Sequence, residues 1–231
     1  MKKGKKFVEA SSKVDKKVLY TKEDAIKLAK ETSITKFDST IEVAIKLNVD
    51  PKKADQQLRG SLVLPNGTGK SKKILVIAKG ENAENAKKAG ADYVGDADMI
   101  AKIEKENFFD YDVIVATPDM MPMLAKVGKI LGPKGLMPNP KTGTVTMNVA
   151  GAIEDIKKGM VEYKTDSYGN IHTIIGKSSF DENKLVENLT YVFNAISKAK
   201  PQTVKGTFIQ NISVSSTMGP GIKVDKNSFD I

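Results

Sequence analysis

Cysteine is absent from this 231-residue sequence, and histidine and arginine occur once each, as His172 and Arg59. The absence of cysteine excludes a disulfide framework, thiolate zinc sites, redox switching and cysteine nucleophiles. A single histidine excludes metal sites built from several histidines and most triads that rely on a histidine base. No apolar run approaches the ~18 residues that a membrane span requires. We therefore expect no catalytic residue, no cofactor, no metal site and no contact with a membrane.

Phosphate-binding fingerprints are also missing. The stretch 67–71 resembles the end of a P-loop, but Leu64 stands where that motif needs glycine, and a strand rather than a helix follows. No G-x-G-x-x-G occurs in the chain, so a dinucleotide fingerprint is absent. Asp110 and Asp112 flank a strand and are interpreted as solvated carboxylates. An enzyme that acts on a nucleotide is therefore the weakest alternative, and 67–71 is interpreted as a linker between domains.

Positive charge is abundant but unevenly placed. Lysine and arginine number 37 against 28 acidic residues, a net charge of +9, of which residues 68–158 carry +2 and the two flanks +7. The basic stretch 1–6 precedes no apolar core, so we do not expect a secretory signal. Lysine suits phosphate contacts, whereas bidentate recognition of base edges usually needs arginine. Two interpretations of this charge stay equally open. One is a solvated basic surface, and the other is a surface that binds nucleic acid and recognises its shape and backbone through polar groups.

The middle of the chain alternates between strand and helix patterns. We predict strands at 73–78, 92–94 and 112–117 and helices at 81–89 and 97–107, followed by a helix that Asp119 caps and that runs to Leu131. The continuous apolar run of the first strand is typical of a strand buried on both faces. This rhythm predicts an inserted α/β, Rossmann-like domain with a parallel sheet at 68–158.

The flanks predict a different architecture. The strand 40–47 alternates strictly between apolar and polar residues, so one face covers a core and the other is free. We further predict a hairpin formed by 160–165 and 171–175, a helix from Asp181 to Lys200, and a last strand at 207–216. Neither flank has enough strands to fold alone. Together they predict an α+β split domain, with an antiparallel-type sheet and helices on one face, at 1–67 plus 159–231, joined to the middle by a hinge of two crossings.

Three segments carry candidate binding residues. The first places Phe37 beside Lys36, directly before the polar face of strand 40–47, and the second ends the last strand with small polar groups and a Gly-Pro-Gly turn. Phe37 and Met218 are also compatible with core positions. Hydroxyls, exposed backbone and a stacking ring suit structured RNA, whose 2′-hydroxyls are read across a shallow groove. Polar residues of the two strands that we include in this surface are Thr40, Glu42, Ser213, Ser215 and Thr217.

The third segment is a loop at 132–143 with three glycines and three prolines, which excludes helix and central strand. An ordinary turn-rich loop is the simplest interpretation. Its length and stiffness favour a fixed functional loop that presents lysines. The candidate residues of this loop are Gly132, Pro133, Lys134, Gly135 and Lys141.

Lys36-Phe37, the 132–143 loop and Thr217-Met218-Gly219 together resemble the bacterial ribosomal protein L-one family, the stalk protein of the large subunit. The resemblance covers essentially the whole chain and implies an RNA site in the split domain. The residues that it implicates are Phe37, Thr217, Met218 and Gly219 at the centre, with Lys36, Thr40, Glu42, Lys164 and His172 around them. For His172, the residue pattern alone favours a packed or solvent-facing structural role. We expect the Thr217 hydroxyl to act only in binding, with little effect on folding.

The same resemblance implies the partners. They are the large-subunit ribosomal RNA of the mobile stalk, the deacylated tRNA that leaves the exit site, and the messenger RNA of the protein's own operon, whose translation it would repress. We expect a monomer when the protein is free, and a cytoplasmic location on the ribosome. A free-standing regulatory RNA-binding protein is the alternative, because one RNA site serves both functions.

Overall fold

The computed structural model describes residues 4–106 and 108–229. The chain divides into two compact units, one formed by Met1–Gly69 with Val161–Ile231 and the other by Lys70–Met160. The expectations for residues 1–3 and for a helix end at Asn107 lie outside the described residues. Within the described part of the chain, no helix is both long enough and apolar enough to cross a membrane.

The helices and strands follow one another in this order along the chain: α1 (Lys5–Ser12), α2 (Lys22–Glu31), β1 (Thr40–Leu47), β2 (Arg59–Val63), β3 (Ile74–Ile77), α3 (Glu81–Lys88), β4 (Tyr93–Gly95), α4 (Ala97–Glu106), β5 (Val113–Ala116), α5 (Met121–Leu124), α6 (Gly128–Leu131), α7 (Val149–Lys158), β6 (Met160–Lys164), β7 (Asn170–Lys177), α8 (Glu182–Lys198), β8 (Ile209–Ser216) and β9 (Ile222–Val224).

The first unit contains a four-stranded antiparallel sheet in the order β7-β1-β8-β9. Odd-numbered residues of β1 are buried and even-numbered ones are not, as its alternating sequence predicts. Helices α2 and α8 contact each other and the sheet, so they cover its buried face. Thr21 starts α2, because its hydroxyl accepts a hydrogen bond from the Asp24 N–H. This arrangement is the predicted α+β architecture, with the second sheet face left open.

The second unit contains a parallel three-stranded sheet in the order β4-β3-β5. All four residues of the central strand β3 are buried, which accounts for its uninterrupted apolar sequence. Helix α3 packs on α7, and α4 packs on β4 and α5. The unit is the inserted parallel α/β fold that the alternating strand and helix patterns predict.

Two local expectations are wrong. The segment predicted as a capped helix to Leu131 is broken into short helical turns, and it begins at Pro118 after an N-cap at Thr117, so Asp119 lies inside the first turn. Proline suits that first position because its fixed φ and missing N–H cost nothing there. The predicted hairpin is reduced to one bridge between Thr165 and Ile171, because β6 pairs with β2 while β7 pairs with β1.

Candidate RNA interface

The open face of the four-stranded sheet carries the polar residues that the sequence predicts. We define the open face by the exposed side of β1 and its neighbours in register: Thr40, Glu42, Ala44 and Lys46 on β1, Asn170, His172 and Ile174 on β7, Asn211, Ser213 and Ser215 on β8, and Lys223 on β9. Glu42 lies between Ile174 and Ser215, because it pairs with both. The face is therefore a mixed surface of hydroxyl, amide, carboxylate, apolar and basic groups.

Phe37 stands at one end of this face, on the loop that enters β1. Its side chain is 64% exposed, so the alternative of a core position is wrong. The next residue fixes the loop, because the Asp38 carboxylate accepts hydrogen bonds from the Ser178 hydroxyl (2.9 Å), the Ser179 N–H (3.0 Å) and the Ser179 hydroxyl (2.9 Å). The Ser178 hydrogen bond is the main reason why the pKa of Asp38 is lowered. Lys36 is exposed beside them.

Thr217 extends the end of β8 beside the start of β1. Its hydroxyl accepts a hydrogen bond from the Thr40 N–H (3.1 Å) and donates one to the Thr40 carbonyl oxygen (3.2 Å), while its own N–H bonds to that carbonyl (3.0 Å). The hydroxyl proton is therefore committed inside the protein. The Thr217 side chain therefore joins the ends of two strands, a structural role that the expectation of binding alone does not include.

Met218 adopts a left-handed backbone conformation with φ 64°, which no other described non-glycine residue shares. Its side chain is 72% exposed, which excludes a core role. The turn is closed by a hydrogen bond from the Gly219 N–H to the Ser216 carbonyl (2.8 Å). A Cβ on Gly219 would lie 3.4 Å from the Thr32 carbonyl oxygen and would clash with the Ser216 hydroxyl. Glycine at 219 therefore lets the turn pack against Thr32 and Ser216 while the Met218 side chain stays exposed to solvent.

The remaining predicted residues of this unit lie farther along the sheet or beside it. His172 is exposed on β7, with its Nε2 3.6 Å from an Asp166 carboxylate oxygen. Hydrogen bonds from Asn170, first from its backbone N–H and then from its side chain, lower the pKa of Asp166 to about 2. Lys164 is exposed on β6, outside the four-stranded sheet. The structure thus brings Phe37, Thr40, Thr217 and Met218 to one end of the face and leaves Lys164 apart.

Sequence reasoning missed one member of this surface and one residue beside it. Ile174 is an exposed apolar side chain beside Glu42, although it lies in a strand whose other isoleucines, Ile171 and Ile175, are buried. Its even position in β7 is the signal that places it on the open face. Asp38, beside this surface, is not among the predicted residues, because the serines that it contacts are about 140 positions away along the chain.

The loop 132–143 belongs to the second unit and is internally braced. Lys134 is exposed, and its ammonium lies 3.7 Å from the centre of the Phe109 ring, a cation–π contact. Thr142 and Thr144 are buried and hydrogen bond to Asn139. Lys141 remains exposed on this rigid turn.

The other predicted loop residues are three glycines or prolines at the start of the same segment. Gly132 accepts a hydrogen bond from Gly135, whose φ is 70° and which is exposed. Pro133 lies between them and is exposed as well. This tight turn therefore explains the glycine at 135 without invoking a ligand.

Comparison with known sequences defines the class of protein. The model of the Ribosomal protein L1p/L10e family matches residues 29–220, and the chain belongs to this family of ribosomal proteins, which are not enzymes. The chain is similar to the large ribosomal subunit protein uL1 of Phytoplasma australiense, with 59% identity over 225 residues, 97% of this chain and 98% of that protein. The protein of the same name from Mesoplasma florum is 59% identical over 223 residues, 96% of this chain and 98% of its own length.

Proposed function

We propose that the protein is a constituent of the large ribosomal subunit in the cytoplasm and binds ribosomal RNA of the stalk through the open face. The observation that carries the proposal is the pair Phe37 and Met218. Both are strongly exposed apolar side chains held on braced backbone at one end of a polar sheet. Singly exposed apolar side chains are common on protein surfaces, but two of them on braced backbone beside one polar sheet face fit a binding surface. The relatives named above are large-subunit proteins and support this assignment.

The chemistry around this pair suits RNA. An aromatic ring and a thioether stack or pack on unpaired bases, and Glu42 accepts from a guanine amino group or a 2′-hydroxyl. Ser215 is beside Glu42 and offers a hydroxyl, while Ile174 on its other side offers an apolar contact for a ribose or base. The Thr217 hydroxyl retains a free lone pair and acts as an acceptor.

The flanks that form the first unit carry most of the positive charge of the chain, +7 of +9. Lys36, Lys46 and Lys223 are within or next to the open face, and lysine contacts phosphate as a point charge. We assign RNA binding to this split domain, with boundaries at 1–67 plus 159–231 around an inserted domain at 68–158.

Two further roles and the oligomeric state belong to the same proposal. The braced loop 132–143 of the inserted domain contacts the tRNA that leaves the exit site, with Lys141 exposed for phosphate. The open face also binds the messenger RNA of the protein's own operon, because any RNA that reproduces the ribosomal site meets the same groups. The free protein is a monomer. Binding of each RNA to the purified protein tests these roles separately.

The decisive experiment measures the affinity of the full chain for a fragment of large-subunit ribosomal RNA that contains the stalk. Phe37→Ala is expected to weaken binding by about 5- to 150-fold, which corresponds to the ~1–3 kcal/mol of one stacked base. Tyr191→Ala is the matched control, because Tyr191 is an exposed ring on helix α8, which covers the buried side of the sheet. Equal affinities of Phe37→Ala and the parent protein would overturn the proposal.

A further inference from the structure

Tyr168 is the most exposed large hydrophobic side chain of residues 4–106 and 108–229, with 75% of its surface accessible. It belongs to the turn between β6 and β7, at residues 166–170, and is not among the side chains that the sequence predicts for RNA binding. A tyrosine ring carries a large apolar surface, and leaving it in water forgoes that burial.

The backbone beneath this ring is fixed by a dense set of hydrogen bonds. One oxygen of the Asp166 carboxylate accepts from the Tyr168 N–H (2.8 Å) and from the Asn170 N–H (2.7 Å). The Asp166 N–H donates to the Asn170 carbonyl (2.8 Å), and Gly169 closes the turn with φ 78°. Because the backbone is already fixed, binding would restrict only the two side-chain torsions of Tyr168, so the entropic cost of stacking is small.

Contacts with residues of the sheet show that the turn at 166–170 lies beside the open face. Lys46 and His172 both belong to the open face. The Lys46 ammonium donates a hydrogen bond to the Tyr168 carbonyl, and His172 Nε2 approaches the Asp166 carboxylate at 3.6 Å. The turn therefore borders the open face. Lys46 is six residues along β1 from Thr40, so this border is roughly 20 Å from the start of the strand at ~3.3 Å per residue.

We infer that Tyr168 is a second stacking site for an unpaired base of the RNA that binds the open face. Phe37 and Met218 border the end of the face where β1 begins, and Tyr168 borders the other end. Between them lies the mixed surface of the open face, which includes Lys46 and His172. Aromatic rings beside cationic groups are how proteins hold single-stranded nucleotides. The inference rests on the proposed RNA function and extends the RNA contact to both ends of the open face.

The test compares three full-length variants on the stalk RNA fragment. Tyr168→Ala removes the ring, Tyr168→Phe keeps the ring but not the hydroxyl, and Tyr191→Ala removes an exposed ring elsewhere. We expect Tyr168→Ala to weaken binding by roughly 5- to 150-fold, the range that one stacked base corresponds to. Tyr168→Phe and Tyr191→Ala are expected to stay within about twofold of the parent. Thermal melting of each variant confirms that the fold is intact.

The other outcomes separate this inference from the proposed function. If Tyr168→Ala binds as tightly as the parent while Phe37→Ala binds weakly, the second stacking site is wrong and the RNA site stands. If neither variant loses affinity, the proposed RNA site itself is wrong. A loss in Tyr168→Phe equal to that in Tyr168→Ala overturns stacking in favour of a hydroxyl contact. Unchanged RNA affinity with weaker co-sedimentation on large subunits overturns the RNA assignment in favour of a protein contact.

Discussion

The hydroxyl of Thr217 and the backbone of Thr40 form two reciprocal hydrogen bonds, because the Thr40 N–H donates to that hydroxyl and the hydroxyl donates to the Thr40 carbonyl. Strands β1 and β8 are joined at this point, where the polar residues of the site begin. A side chain that looks like a surface hydroxyl in the sequence thus has a structural role. It holds two strand ends together, and we propose that its remaining lone pair accepts a hydrogen bond from RNA.

This relationship predicts that Thr217→Ala lowers both folding stability and RNA affinity. Loss of the paired hydrogen bonds costs about 1 kcal/mol of unfolding free energy, measured by urea denaturation. Thr217→Ser keeps the hydroxyl and is expected to restore most of both quantities. An alanine variant that loses RNA affinity with unchanged stability would contradict the structural role and return Thr217 to binding alone.

For Met218 we predict a difference in stability between two substitutions that both weaken RNA binding. Its left-handed conformation, φ 64°, costs an ordinary residue roughly 1–2 kcal/mol and costs glycine almost nothing. Glycine also gains entropy in the unfolded chain, which offsets about 0.4–1 kcal/mol. We therefore expect Met218→Gly to be about 0.5–1 kcal/mol more stable to urea than Met218→Ala, with both variants weak in RNA binding. Equal or lower stability of the glycine variant would show that the backbone strain is absent.

The parts of the fold that follow a local pattern could be predicted from the sequence, and those that depend on distant partners could not. Alternation identifies β1 and its open face, and an uninterrupted apolar run identifies β3. The pairing of β6 with β2 leaves no local trace, since a strand pattern does not name its partner. Sequence alone also leaves Phe37 undecided between core and surface, because both positions accept an aromatic ring.

The turn at residues 166–170 predicts a defined dependence of stability on pH. Hydrogen bonds to the Asp166 carboxylate, first from the Asn170 N–H, lower its pKa from 3.8 to about 2. A carboxyl group whose pKa is lower in the folded state stabilises the fold above its unfolded pKa, and this contribution is lost as the pH falls toward the folded value. Asp166→Asn is therefore expected to be less stable than the parent at neutral pH, with the difference shrinking between about pH 4 and pH 2. A difference that stays constant over this range would exclude the carboxylate as its cause.

The effect of Asp38→Asn on RNA affinity distinguishes two explanations by its sign. Affinity falls if Asp38 positions the loop that carries Phe37, and rises if Asp38 acts only through its charge. Its carboxylate binds Ser178 and Ser179 and so fixes the loop that carries Phe37. Removing a negative charge near bound RNA should strengthen binding by Coulomb's law. Asp38→Asn instead is expected to weaken binding several-fold, because the amide replaces an acceptor with a donor and releases the loop. Asp55→Asn, at an exposed acid of the same unit, is the control for charge and should leave affinity equal or slightly higher.

A double-mutant cycle then assigns the effect of Asp38 to Phe37. If the carboxylate acts by holding the ring in place, Asp38→Asn has nothing left to disturb once Phe37 is alanine, so the double variant should bind like Phe37→Ala alone. Additive losses, by contrast, would mean that Asp38 touches the RNA or supports another part of the site. Because Asp38 is exposed and its carboxylate contacts the hydroxyls of Ser178 and Ser179 rather than a buried group, we expect both single variants to melt within a few degrees of the parent, which keeps the cycle a measure of binding. Affinity and melting temperature measured on the same four proteins decide between these outcomes.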